Sequence, residues 1–198
     1  MKRALACMMV GAQVLCACTA LVPAPTVERQ YVGRFSVVAM MGGKTDSGSG
    51  RFTFTIEGPG AVLDLASPLG STLARIEVDP RGARLTAPTD SGQREVRGAS
   101  AEALTYEVLG WPLPVAGFRD WIEGRPVPSR PSTQLRTDGD DAFEQDGWTI
   151  SVLERFEGNS TAPRRLLFER AETREPAPAI SLRLVLDEPP FVRQGAGT

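Results

Sequence analysis

Large apolar residues recur at every second position along most of the chain from Tyr31 onward. Phe35 and Val37, for example, alternate with Arg34 and Ser36. The same spacing recurs at Phe52, Phe54 and Ile56, at Leu63 and Leu65, at Ala74, Ile76 and Val78, at Trp148, Ile150 and Val152, at Leu166 and Phe168, and at Ile180, Leu182, Leu184 and Leu186. Such alternation is typical of antiparallel strands with one buried and one solvated face.

Turn signals separate these predicted strands. Glycine-rich or proline-containing turns are expected at residues 42–50, 58–60 and 80–82. A weaker strand is expected at residues 84–87, and Asp146-Gly147 indicates a tight hairpin. The runs therefore predict successive antiparallel strands on both sides of the middle of the chain.

The middle of the chain has a helical pattern instead. Ser100 is a suitable N-cap, and the apolar stripe that follows ends at Gly110. A second short helix is predicted where Val115, Phe118 and Ile122 fall on one face, and Gly124 ends it. Two short amphipathic helices cannot cover a long flat sheet. The pattern therefore predicts a mainly β fold with some α, an incomplete antiparallel β-barrel whose helices form a lid over an apolar face.

The N-terminus has the features of a targeting segment. A basic start at residues 1–3 precedes an apolar run, Ala4–Leu15, that is too short to span a bilayer. Ala17 and Cys18 follow, and this run resembles the lipobox of bacterial lipoprotein precursors. An ordinary secretory signal with an incidental cysteine is the alternative. Thr19 is not the aspartate that marks inner-membrane retention, which favours the outer membrane.

These features predict four regions in the chain. Residues 1–17 are expected to be a signal peptide, and residues 18–30 a lipidated Cys18 with a flexible tether. One domain should then occupy residues 31–188, within the usual size range. Residues 189–198 are expected to be a mobile tail.

Composition excludes several classes of function. The net charge of −2 argues against nucleic-acid binding, which needs a basic face. Histidine is absent, which removes the commonest general base and the commonest metal ligand. The acidic run Asp138–Asp141 lacks the spacing of a calcium loop and is expected to be a solvated turn. The sequence therefore predicts neither an enzyme nor a bound metal or cofactor.

Several motifs together resemble the LolB family of outer-membrane lipoproteins. They are SPLGSTL at Ser67–Leu73, LGWPLPV at Leu109–Val115, FRDWIEG at Phe118–Gly124, Gly33-Arg34-Phe35, Gly50-Arg51-Phe52 and Gln145–Trp148. The resemblance spans about Tyr31 to Asp187 with the motifs in the family's order. The short tether, Phe54 in place of a common tryptophan and the diverged C-terminus depart from the family pattern.

The resemblance implies a function as well as a fold. Members of this family are receptors that accept lipoproteins from a LolA-type periplasmic carrier and insert them into the inner leaflet of the outer membrane. The protein is then expected to be a monomer anchored on the periplasmic face of that membrane. Its partners would be the carrier, cargo lipoproteins and membrane lipid, and transfer would follow the relative affinity for acyl chains.

The resemblance also assigns residues to two sites. Leu69, flanked by Pro68 and Gly70, matches an exposed apolar residue on a loop that releases cargo into the membrane. The expected acyl-chain cavity is lined by Phe52, Phe54, Ile56, Leu63, Leu65, Trp111, Val115, Phe118, Trp121, Ile122, Trp148, Ile150, Leu182 and Leu184.

Other interpretations of the same residues stay open at this point. The apolar positions could form a plain core, and Leu69 could fold back as a hydrophobic plug. Arg34 and Arg51 could form a solvated strand face, or could meet acidic groups of a carrier or lipid headgroups. For the whole protein, the alternative is a periplasmic lipoprotein that binds a lipid or small hydrophobic ligand without delivering cargo.

Overall fold

The computed structural model describes residues 27–136, 141–158, 161–171 and 178–194. The elements in chain order are β1 Val27–Met41, β2 Lys44–Glu57, β3 Gly60–Ala66, β4 Thr72–Asp79, β5 Gly82–Thr89, β6 Gly92–Gly98, α1 Ala101–Leu109, α2 Val115–Trp121, β7 Thr133–Arg136, β8 Asp141–Gln145, β9 Trp148–Arg155, β10 Pro163–Arg170, β11 Ala179–Leu186 and β12 Phe191–Gln194. The predicted signal peptide, Cys18 and residues 138–140 lie outside the described residues.

All strands belong to one antiparallel sheet. Its order is β6-β5-β4-β3-β2-β1-β11-β10-β9-β8-β7, and β12 pairs with the beginning of β1. The outermost strands of this path, β6 and β7, do not pair with each other in the described chain, so the sheet is open. The predicted mainly β fold, an incomplete antiparallel barrel with two short helices, is confirmed.

The alternation along each strand separates an inner face from an outer face. In β1, Phe35 and Val37 are buried, whereas Ser36 and Val38 are exposed. The buried hydrophobic residues form one cluster, from Tyr31 in β1 to Leu186 in β11, and it includes residues of both helices. A chain that starts at Thr19 therefore contains the whole core and carries the complete fold.

Helix α1 has the boundaries that local chemistry favours, whereas α2 ends at Trp121, before the predicted stop at Gly124. Ser100 Oγ accepts a hydrogen bond from the Ala103 amide and caps α1, and Gly110 ends α1 in the left-handed region. A side chain of α1 then caps the next helix, since Glu102 Oε1 accepts from the Ala116 amide at 3.0 Å. The two helices are thus joined by specific polar contacts as well as by chain connection.

The hairpin between β1 and β2 differs from the sequence prediction. A turn was expected over residues 42–50, but the turn consists of Gly42 and Gly43 alone, at φ 56° and 77°. Two adjacent glycines at positive φ form the tight turn that matches the twist of antiparallel strands. Residues 44–50 therefore continue β2 in register with β1.

Three strands, β6, β7 and β12, were missed because each has too few apolar residues to show an alternation. Strand β12 corrects part of the predicted mobile tail at 189–198, because Phe191–Gln194 pair with Val27–Gln30. The same pairing extends the sheet into the predicted tether at 18–30. Four paired residues are too few to show a hydrophobic periodicity, although their backbone hydrogen bonds define a strand.

Among the residues that the structure describes, no helix has the length and apolar character needed to cross a bilayer.

Candidate functional site

Helix α2 places one aromatic side chain against the middle of the sheet's inner face. The ring of Phe118 meets those of Phe54, Phe168 and Phe52 edge to face, with centroid separations of 5.0, 5.7 and 6.4 Å. Trp121 makes a similar contact with Phe168 at 6.0 Å. Offset edge-to-face pairs of this kind add to the stabilisation from apolar burial. Phe118 therefore fills the concavity that the curved sheet leaves open.

A buried glutamine fixes the end of α2 and the segment after it. Gln145, in β8, is 2% exposed, and its Oε1 accepts from the Trp121 indole and from the Val127 amide, both at 2.8 Å. Its Nε2 donates to the carbonyls of Val127 and Arg130 at 3.1 Å. A buried amide with its donors and acceptors satisfied holds its partners in one arrangement.

Very little empty space remains between α2 and the sheet. The apolar cavity at this position has a volume of about 20 Å³, which is room for roughly one water-sized sphere. Its lining residues are Phe35, Phe52, Leu63, Leu65, Trp111, Leu113, Phe118, Leu182 and Leu184. The structure therefore represents a closed form, in which α2 occupies the inner face of the sheet.

The residues expected to line an acyl-chain cavity share this apolar interior. Seven of the fourteen line the small remaining cavity: Phe52, Leu63, Leu65, Trp111, Phe118, Leu182 and Leu184. The others, Phe54, Ile56, Val115, Trp121, Ile122, Trp148 and Ile150, are buried in the same core. Contact with an acyl chain stays a prediction for all of them.

A polar cluster closes the interior beyond the end of α2. Glu123 Oε1 accepts from the Tyr31 hydroxyl and from the Arg29 guanidinium, each at 2.5 Å. Arg125 also pairs with the Glu123 carboxylate and reaches Asp120 at 2.8 Å. Strand β1 is thus joined directly to the segment that follows the lid helix.

These contacts shift two acid–base equilibria. Burial, the hydrogen bond to Glu123 and the charge of that carboxylate raise the pKa of Tyr31 above its ordinary value of 10.0. For Glu123, burial acts to raise the pKa. The hydrogen bonds from Tyr31 and Arg125 and the charges of Arg125 and Arg29 outweigh it, so the pKa of Glu123 lies below 4.5.

The loop between β3 and β4 presents an isolated apolar side chain. Leu69 is 96% exposed. The loop is nevertheless ordered by its own hydrogen bonds, since the Gly70 amide donates to the Ser67 carbonyl at 2.9 Å and the Ser71 amide donates to Ser67 Oγ at 3.1 Å. Pro68 precedes Leu69 at the turn and is exposed as well. The structure thus places Leu69 in solvent and not in the core.

Sequence reasoning missed the polar residues that hold the lid. Tyr31, Glu123 and Gln145 were not singled out as functional. Gln145 left one detectable signal, because this polar residue occupies an inward position next to the predicted Asp146-Gly147 hairpin. No signal in the sequence identified Glu123, since its partners Arg29 and Tyr31 are more than ninety residues away in the chain.

Comparison with known proteins identifies the family. The family model for the outer membrane lipoprotein LolB matches residues 28–188. The outer-membrane lipoprotein LolB of Cupriavidus pinatubonensis is 35% identical, covering 94% of this chain and 95% of that protein. The LolB proteins of Ralstonia nicotianae and Bordetella pertussis are 37% and 38% identical, covering 82% and 80% of this chain and 80% and 77% of those proteins.

A solved structure of a LolA superfamily protein from Nitrosomonas europaea aligns at 10% identity and a TM-score of 0.44, covering 87% of this chain and 88% of that one. The names of the sequence relatives carry no enzymatic activity, in agreement with the prediction that the protein is not an enzyme. On the family match and on the identity and coverage of the relatives, the chain belongs to the LolB family of outer-membrane lipoproteins.

Proposed function

We propose that the protein is a receptor for lipoproteins at the periplasmic face of the outer membrane. It accepts the acyl chains of a lipoprotein from a LolA-type periplasmic carrier and passes them to the inner leaflet of that membrane. Cys18, acylated after removal of residues 1–17, anchors the receptor at the membrane and raises its local concentration there. The protein acts as a monomer in this proposal.

The observation that carries the proposal is the apolar interior of the sheet, which is covered by the short helix α2. Acyl chains cannot enter a cavity of about 20 Å³, so binding requires α2 to withdraw Phe118 from the sheet. Burying a phenylalanine side chain contributes about 1.5–3 kcal/mol, and each buried methylene contributes about 0.8 kcal/mol. Two to four methylenes of an acyl chain on the same apolar surface therefore offset the loss of that side chain.

This exchange of one apolar occupant for another needs no external energy source. The direction of transfer follows from the difference between the receptor's affinity for the chains and the carrier's. A difference of a few buried methylenes is enough, because about 1.4 kcal/mol corresponds to a tenfold ratio of affinities. The bilayer buries the chains completely and draws them onward.

Leu69 supports the delivery step of the proposal. A fully exposed leucine on an internally hydrogen-bonded loop contributes nothing to the core, and its transfer into lipid is favourable. Insertion of this side chain would bring the protein against the acceptor leaflet. Because Leu69 is 96% exposed at the tip of an ordered loop, it can enter lipid without disturbing the core.

The test is a two-step transfer assay with the chain from Thr19 onward. A labelled lipoprotein loaded on the carrier is offered to the receptor, and the receptor is then offered to liposomes. We expect Leu69→Glu to accept cargo like the unmodified protein and to deliver it about tenfold or more slowly, because a charge replaces the leucine that enters lipid. Its free energy of unfolding should change by less than about 0.5 kcal/mol, since the site is exposed.

Leu153→Glu is the matched control, because Leu153 is also an exposed leucine but lies in the middle of β9. Both of its transfer steps should be unchanged. Normal delivery by Leu69→Glu would remove the assigned role of the loop. If the unmodified chain takes no cargo from the carrier, the receptor function is wrong and a lipid-binding barrel without delivery is the better account.

A further inference from the structure

Two arginines stand directly opposite each other on the outer face of the sheet. Arg34 in β1 pairs in register with Arg51 in β2, and both side chains are exposed. Like charges at directly opposite positions of an antiparallel pair destabilise it. The stability of the sheet therefore does not account for this pair.

The pair shares a single carboxylate. Asp187 Oδ2 is 2.9 Å from Arg51 Nη2, and Asp187 Oδ1 is 3.4 Å from Arg34 Nε. A third exposed arginine, Arg183 in β11, lies opposite Ser36 and so on the same face. Arg183 forms no ion pair with any residue that the structure describes. Among the described residues, Asp187 therefore supplies the one carboxylate that pairs with this cluster of three arginines.

The exposed arginines of β4 and β5 are balanced by carboxylates. Arg75 contacts both Asp64 and Glu77, and Arg84 contacts Glu77. That group has two positive and two negative charges. The excess of positive charge around Arg34 and Arg51 is therefore absent from the neighbouring strands β4 and β5.

The excess lies beside the loop that carries Leu69. Arg51 pairs with Ala66, the last residue of β3, so the loop begins next to it. Pro68 lines a surface depression of about 290 Å³ together with Arg34 and Arg51. An apolar side chain in solvent and a cluster of guanidinium groups thus occupy one corner of the molecule.

We propose that Arg34, Arg51 and Arg183 bind the phosphate groups of anionic phospholipids when Leu69 enters the membrane. This inference rests on the proposed delivery step and adds the class of lipid that the receptor selects. Guanidinium groups bind phosphate oxygens through paired hydrogen bonds, and a cluster with one shared carboxylate keeps donors available for them. The arginines would hold the headgroups while the leucine occupies the acyl region.

Binding to vesicles tests the proposal with the chain from Thr19 onward, which carries the complete core. The probes are vesicles of phosphatidylcholine alone and of phosphatidylcholine mixed with phosphatidylglycerol. Each basic residue near an anionic surface contributes about a fivefold change in partitioning. Arg34→Gln with Arg51→Gln should therefore weaken binding to the mixed vesicles about 25-fold and leave binding to phosphatidylcholine unchanged.

Two further variants separate position from charge. Arg75→Gln with Arg84→Gln removes the same charge from the same face and should change binding to the mixed vesicles about twofold or less, because those guanidinium groups are already paired with Asp64 and Glu77. Arg34→Lys with Arg51→Lys keeps the charge and should retain most of the preference. Thermal unfolding of the variant with Arg34→Gln and Arg51→Gln should match that of the unmodified protein, because the two substitutions remove like charges that face each other.

Equal binding of the unmodified protein to both kinds of vesicle would overturn the proposal, as would a glutamine variant that keeps the full preference. If that variant binds mixed vesicles normally but takes no cargo from the carrier, the cluster is a carrier contact instead. Transfer of cargo from the carrier to the receptor tests the proposed function independently of vesicle binding. A protein that accepts cargo yet shows no lipid preference loses only this inference.

Discussion

Glu123 is the residue on which the polar contacts of the lid converge. Its carboxylate is shared by Tyr31 and Arg29 of β1 and by Arg125. These contacts join the strand that begins the domain to the segment after α2. The protonation state of one carboxylate therefore affects how firmly the lid region is held.

The first prediction is a pH dependence of stability that Glu123 controls. Because the folded protein lowers the pKa of Glu123 below 4.5, its contribution is present above that pH and is lost as the pH falls through the lowered pKa. The difference in free energy of unfolding between the unmodified protein and Glu123→Gln should thus be largest near neutrality and shrink below about pH 4.5. Urea unfolding across this range measures it.

Glu169→Gln is the control, because Glu169 is exposed and forms no ion pair with a described residue. Its effect on the free energy of unfolding should be small at every pH. A Glu123→Gln difference that stays constant down to strongly acidic pH would contradict the prediction. Tyr31 sets a limit at alkaline pH. Because its pKa is raised in the folded protein, its contribution to the free energy of unfolding is lost as the pH rises above 10.0.

At the scale of the element, α2 depends on its packing for its position. A seven-residue helix is too short to be stable in isolation. Its side chains Phe118 and Trp121 hold it on the sheet through aromatic contacts and the Gln145 hydrogen bond. A small helix held by few side chains is suited to leave the sheet as a unit when another apolar occupant arrives.

The second prediction concerns Gly117, whose lack of a side chain leaves room for the Trp121 ring to lie against the backbone of the same helix. A Cβ atom at position 117 would lie 2.4 Å from Trp121 Cε2, inside van der Waals contact. Gly117→Ala should therefore destabilise the protein by about 1–3 kcal/mol, although alanine is the better helix former. It should also increase binding of an apolar fluorescent dye, because Trp121 can no longer hold the lid in its closed position.

Ala116→Gly provides the comparison on the same helix. Ala116 is exposed, so its replacement weakens the helix by about 1 kcal/mol or less without disturbing Trp121. Dye binding should stay close to that of the unmodified protein. Unchanged unfolding and dye binding in Gly117→Ala would show that the closed lid does not depend on this contact.

At the scale of the whole molecule, strand direction relates the proposed anchor to the loop of Leu69. Gly60 is level with Glu28 across β2, and β3 then runs for seven residues toward the loop. That distance is about 20 Å along the strands. Val27 is nine residues after Cys18, and a chain of that length reaches about 30 Å when extended.

The third prediction follows from these two lengths. If Leu69 enters the membrane that holds the Cys18 anchor, the tether must run back past the first strands. Deleting residues 20–24 leaves a reach of about 14 Å, which is shorter than the distance to the loop. Delivery by the anchored protein should then fail, while the same deletion in the unanchored chain should have no effect.

A tether of unchanged length but glycine–serine composition at residues 20–24 is the matched control and should deliver normally. Cargo delivery to liposomes that already hold the anchored receptor measures the effect. Normal delivery by the shortened, anchored protein would mean that Leu69 does not enter the anchor's own membrane.

Much of the fold followed from local patterns. Alternation identified the inward residues of the long strands, such as Phe52 and Phe54, because a strand side chain can only point to one of two faces. Ser100 and Gly110 bounded α1 through hydrogen bonds within a few residues. Strands β7 and β12 could not be found in this way, since four residues are too few to show an alternation and each is defined by pairing with a partner strand.

The candidate site was likewise predictable only in part. The amino-acid sequence was enough to predict the apolar faces, the caps, the turn that carries Leu69 and the family resemblance, because each depends on neighbours in the chain. The folded structure was needed to show that Leu69 lies in solvent, that the interior is closed around Phe118 and that Arg51 shares Asp187 with Arg34. Arg51 and Asp187 are 136 residues apart, and such contacts arise only when the folded sheet brings distant strands into register.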